Sequence, residues 1–240
     1  MAVLQNAERS VIYGSKTIDY SLFYSERKTM EIAVHPDGTV VVKAPIDSDV
    51  LQIDQKIYKR ARWILKQIIY FRQFTPKTPE RCYVNGETHL YLGKQYRLKT
   101  VQGDQNCVKL NRGFFIVTCR EKDSPENIRK LLQKWYSEKA VLQFNNSMKR
   151  CWPKVQDFAD TKPTISVKRM KKRWGSLSDK GTVILNVDLV KAPKECIDYV
   201  LIHELCHLKY NNHGREFYTL LDSITPGWKK IKHKLELSLI

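Results

Sequence analysis

Read for the alternation of apolar and polar positions, the chain opens in β-structure. Between Thr17 and Pro45 the two classes alternate, and HPDGTVVVKAP sets a Pro-Asp-Gly turn ahead of a Val-rich run, the pattern of a hairpin. The period then changes. From Ser48 to Phe74, residues Val50, Ile53, Ile57, Ala61, Ile64, Ile68 and Phe71 recur three and four apart, which predicts one long amphipathic helix stopped by TPKTPE. Arg81 to Arg120 returns to β-structure, with turns expected at VNGE, YLGK, QGDQN and NRG. After KDSPEN, an N-cap with Pro in the first turn, Ile128, Leu131, Leu132, Trp135 and Leu142 predict a second long helix running to about Lys149.

The remainder reads as strands TISVKRMKKRWGSLS and TVILNVDLV joined at SDKG, followed by a helix over APKECIDYVLIHELCHLKY. A short helix at REFYTLLDSI, a break at TPG and a basic helix at WKKIKHKLELSL complete the chain. The fold class is α+β. No internal repeat and no low-complexity linker stands out, and two regions are expected, 1–122 and 123–240, with a soft boundary near Lys122.

Composition narrows the classes. At 240 residues and 42% hydrophobic content the chain can build one sizeable core or two small ones. The six cysteines contain no CxxC pair, so reduced thiols are expected rather than a zinc ribbon or a disulfide framework. The first residues lack a secretory pattern and the apolar runs are too short to cross a bilayer, so a soluble cytoplasmic protein without a membrane partner is expected. Forty-two Lys and Arg against 25 Asp and Glu leave a net charge of +17, a field that attracts polyanions and acidic protein surfaces.

The chemistry concentrates in HELCHLKYNNHGREF, residues 203–217. Residues four apart on a helix are separated by about 400° of rotation and about 6 Å of rise, so His203 and His207 share a face and can grip one ion. Glu204 lies beside that face, where its carboxylate can take a proton from water without displacing a ligand. The spacing is the zinc pattern H-E-x-x-H. A catalytic zinc needs a third protein ligand and an open position; His213 is the choice, with Glu216 and Asp222 as rivals. Asn211 and Asn212 tolerate a left-handed exit from the helix. Metzincins place a third histidine at the same distance but have Gly where this chain has Tyr210. Cys206 is expected in the core, and His35, His89 and His233 are expected to be structural or solvent-facing.

The run from Arg173 to Lys230, above all Arg173-Trp174-Gly175-Ser176 and the segment His203 to His213 with Phe217 after it, resembles the YgjP-like family of zinc metallopeptidases. Weaker similarity extends upstream through YLGKQYRL and HPDGTVVVKAP. The resemblance implies a small zincin: a backing helix, a small mixed sheet whose edge strand borders the cleft, an active-site helix and a third His ligand beyond it. It implies that His203, His207 and His213 hold one Zn2+ and that Glu204 is the general base in peptide-bond hydrolysis. Where the family has a cysteine after RWGS, this chain has Leu177. The family is similar in outline to SprT-like proteases.

KRWGSLS reads as the cleft-edge strand, able to pair with an extended polypeptide substrate, with Arg173, Trp174, Gly175, Ser176 and Tyr210 as candidate substrate-binding residues. Arg173, Tyr210 and Tyr218 have the chemistry of an oxyanion donor. Lys162, Lys168, Arg169, Lys171, Lys172 and Arg173 form a basic run that fits acidic polypeptides, nucleic acid or nucleic-acid-bound proteins, or a solvated face. Two other functions remain open: a basic nucleic-acid-associated protein with a zinc site, and a zinc hydrolase of non-peptide substrates.

Overall fold

The structure, a computed structural model, describes residues 4–35, 37–73, 79–120, 124–158, 161–171 and 173–238. Pro36 of the expected turn, residues 75–78 of the expected helix stop, Lys122 at the expected boundary and Lys172 of the basic run lie outside them. The chain divides into two compact units, 1–78 and 79–240. The boundary expected near residue 122 therefore falls inside the second unit.

In the first unit, alternating residues build β1 (Leu4–Tyr13), β2 (Lys16–Ser25), β3 (Glu31–Val34) and β4 (Val40–Pro45), and the helical period builds α1 (Val50–Arg72). The sheet order is β1-β2-β4-β3: two antiparallel hairpins joined through a parallel central pair, β2 with β4. Asp49 caps α1 by accepting from the Leu51 amide, which satisfies one of the orphan donors of the first turn. Ile53, Ile57, Ala61 and Ile64 are buried beneath α1 against Ile18, Leu22, Val40 and Val42. Each isoleucine buried there stabilises by roughly 1.5–3 kcal/mol.

The second unit begins with the same plan. Strands β5 (Thr88–Tyr91), β6 (Lys94–Gln102), β7 (Cys107–Asn111) and β8 (Phe114–Cys119) lie in the order β5-β6-β8-β7, again two hairpins with a parallel central pair, and a long helix α2 (Pro125–Cys151) comes after them. The two-residue loops Leu92-Gly93 and Arg112-Gly113 both have positive φ throughout, as tight hairpins with right-handed strand twist require. The chain thus repeats a ββββα topology that its residues do not announce.

Beyond α2, the second unit adds elements that the first unit lacks. A three-stranded mixed sheet has order β10-β11-β9, from β9 (Thr164–Lys168), β10 (Gly175–Leu177) and β11 (Thr182–Asn186), with β10 on an edge. Three helices come next: α3 (Lys194–Cys206), α4 (Arg215–Ile224) and α5 (Trp228–Ser238). α2 backs α3. Asp198 of α3 accepts from Arg150 at 2.7 and 3.1 Å and from the buried Ser147 hydroxyl at 2.5 Å, while Phe144, Met148, Ile197 and Leu201 fill the interior.

The segment expected as a strand over TVILNVDLV changes conformation halfway. Asn186, 3% exposed, accepts from the Asp188 amide and donates to the Met170 and Arg173 carbonyls. Those bonds turn residues 187–191 into a 3-10 helix instead of extending β11.

Candidate active site

α3 carries the first two histidines out of the core. Ile197, Val200, Leu201, Ile202, Leu205 and Cys206 are all buried, so the helix is anchored on most of its circumference, and Cys206 is a core residue as expected. The helix ends at His207 by tightening: the amides of His207, Leu208 and Lys209 donate three residues back, to Glu204, Leu205 and Cys206. The exit differs from the expected one. Neither Asn211 nor Asn212 has positive φ, because these i−3 bonds already bend the chain out of the helix.

His213 returns to the two helix histidines just before α4. One ring nitrogen of each of His203, His207 and His213 lies within 4.8 Å of the other two, and His213 Nε2 is 2.9 Å from His203 Nε2. Neither Glu216 nor Asp222 belongs to this group. Phe217, fully buried on α4, forms its floor, with ring centroids 5.0, 4.7 and 4.7 Å from His203, His207 and His213.

The donors fit a tetrahedral divalent cation. Metal–nitrogen bonds of about 2.0–2.1 Å require imidazole nitrogens roughly 3.3 Å apart; the His203–His213 pair needs a few tenths of an ångström of widening to reach that spacing, and all three nitrogens lie within 4.8 Å of one another. His207 Nδ1 lies 2.9 Å from the Tyr210 carbonyl; donating there leaves Nε2 as the free ligand atom, the outer partner a metal-binding imidazole requires. Burial first, then the other two imidazoles, pushes His203 down to about 4, so it is neutral and able to ligate at pH 7. His213 is also lowered, again chiefly by burial.

Glu204 stands beside the cluster but outside it. Its side chain crosses the backbone of β10: a Cβ at Gly175 would lie 2.8 Å from both Glu204 Cγ and Oε1, so only glycine allows this approach. Burial drives the Glu204 carboxyl up to about 7, against the opposing pull of the Leu177 amide hydrogen bond and the Arg173 charge. A carboxyl titrating near neutrality can both take and give a proton there.

The cluster opens on a cleft of about 790 Å³ lined by β10 and its flanks, Arg173, Gly175, Ser176 and Leu177, and by His203, Glu204, His207 and His213. Trp174 and Tyr210 do not line it; both are partly buried against the core, and Tyr210 contributes its carbonyl to His207. In the sequence Phe217 stands out only as part of the family resemblance; its role as floor, and the Leu177 amide bond to Glu204, emerge from the fold. His89 is buried, whereas His35 and His233 are exposed, as anticipated.

A metal-capable imidazole triad with an adjacent buried carboxyl is the equipment of a metallopeptidase. The YgjP-like, metallopeptidase domain family matches residues 28–238, so the chain belongs to that family and is a hydrolase of peptide bonds. Two solved metallopeptidase zymogens are similar to parts of it. Abylysin from Pyrococcus abyssi is 22% identical with a TM-score of 0.35, over 38% of this chain and 90% of that one. Jannalysin from Methanocaldococcus jannaschii is 26% identical with a TM-score of 0.37, over 41% and 91%. No curated protein matches. No helix among the described residues is long and apolar enough to cross a membrane.

Proposed function

We propose that the chain is a zinc-dependent endopeptidase in which His203, His207 and His213 hold the ion and Glu204 is the general base. Zinc in such a site acts as a Lewis acid and makes water nucleophilic near neutral pH. Glu204 accepts the proton released as water attacks the scissile carbonyl and passes it to the leaving nitrogen, a double duty that suits a carboxyl raised to about 7. The Leu177 amide fixes that carboxyl's orientation. An extended substrate fits along the free edge of β10, where Gly175 and Ser176 present backbone to the cleft, and the Arg173 guanidinium faces the same space as a donor to developing negative charge.

The observation that carries this reading is the buried Glu204 carboxyl held next to three converging imidazoles without joining them. A purely structural site needs no such group and closes with a fourth Cys or His. Glu204→Gln keeps the shape and removes the base. Purified variant should retain one zinc per chain and lose peptide cleavage by on the order of 10²–10⁴-fold in proteome-derived peptide profiling. Undiminished cleavage would remove Glu204 from the mechanism.

A further inference from the structure

Far from the histidines in sequence, the first unit contains a second cleft, of about 600 Å³, between one face of α1 and the chain around residues 28–32. Its lining brings together Lys28, Lys56, Lys59 and Arg60, with the indole of Trp63 beside them and no acidic residue among the lining groups. We propose that this groove binds single-stranded nucleic acid, with the cations on backbone phosphates and Trp63 stacked on a base.

The charge is uncompensated for a structural reason. α1 carries six Lys and Arg against a single carboxylate, Asp54, and that carboxylate is held on another face by Arg9 at 3.1 Å and by the Tyr20 hydroxyl. Glu31 is paired with Arg27 at 2.8 Å, Asp49 caps the helix, and Asp37 accepts from Thr39. Among the described residues none of the four groove cations is in an ion pair. Four like charges facing one concavity repel one another unless an anion enters, which favours a polyanionic occupant.

Trp63 selects among polyanions. It is 41% exposed although large and apolar, and it comes three residues after Arg60, so indole and guanidinium are neighbours on the helix surface. A nucleotide strand alternates phosphate with a planar base and uses both groups, whereas an acidic polypeptide engages the cations and leaves the ring in water. Bases paired within a duplex cannot reach the ring, hence the single strand. Thr29 and Ser48 add hydroxyl donors for phosphate oxygens at the rim.

The test is fluorescence anisotropy of the full chain with a short fluorescein-labelled oligothymidylate across a salt series, with the matching duplex and polyglutamate as competitors. Trp63→Ala should weaken binding roughly 5–150-fold, the range of one lost base stack, and Trp63→Phe should recover most of it. Lys59→Ala with Arg60→Ala should flatten the log K against log salt slope by about 1–1.5. Circular dichroism melts establish that the variants are folded, and all three substituted side chains are exposed. Equal binding by the wild type and both variants would overturn the proposal by placing the contacts elsewhere on the basic surface. So would a duplex that binds as well as the single strand, or polyglutamate that displaces the oligonucleotide at equal charge concentration.

Discussion

The two ββββα frames of this chain have the same strand order, the same parallel central pair and a long helix in the same place, yet they put that helix to different uses. α1 covers its sheet with Ile53, Ile57, Ala61 and Ile64, and Lys56, Lys59, Arg60 and Trp63 are left at the surface. α2 is buried on more of its circumference, from Ile128 through Trp135, Ala140 and Phe144 to Cys151, because it packs on its own sheet and also backs α3. A frame becomes a scaffold for chemistry when its helix acquires a second apolar face. The first two histidines are then carried by a helix, α3, that is anchored on most of its circumference.

Two core truncations of similar severity should separate these uses most sharply. Phe144→Ala empties the space behind α3 and should cost about 3–5 kcal/mol and weaken zinc binding, whereas Ile57→Ala should cost about 2–5 kcal/mol in the first frame and leave zinc stoichiometry at one. Denaturant melts with metal analysis read both, and zinc loss in the Ile57 variant would break the contrast. A smaller effect is expected from Gly175→Ala. The new methyl meets Glu204 Cγ at 2.8 Å and displaces the carboxyl, so turnover should fall on the order of 10²-fold with zinc retained.

The smallest effect is a pH dependence of the metal-free protein. Glu204 moves from its ordinary 4.5 to about 7 on folding, so the folded state holds its proton more tightly than the unfolded state. The associated stability is fully present below 4.5 and lost as pH rises through about 7. Measured in chelator, the wild type should lose about 2 kcal/mol relative to Glu204→Gln between about pH 5 and about pH 6.5. A flat difference would mean that the carboxyl is solvated.

Helices were the most legible part of the sequence, because a stripe repeating three and four apart survives wherever one face is buried: α1 and α2 fall within two residues of their expected limits. The pairing of His203 and His207 at the end of α3 was legible for the same reason, since local spacing alone puts two imidazoles on one face. Parallel pairings such as β2 with β4 and β6 with β8 join residues far apart in the chain and leave no local period. Nor does the alternation recognised from Thr17 onward extend back to β1, which begins at Leu4. The Gly175 approach to Glu204 depends on β10 crossing α3, a contact between residues 29 positions apart that neither pattern could signal. Asn186 ended β11 through bonds to a loop whose position the sequence does not state.

Anomalous diffraction at the zinc edge, from crystals of the wild-type chain grown with zinc, tests the central claim most directly. One peak about 2.0–2.1 Å from a ring nitrogen of each of His203, His207 and His213, with Glu204 unbound beside it, is the predicted result. A peak coordinated by Glu204, or no peak among the three imidazoles, would contradict it.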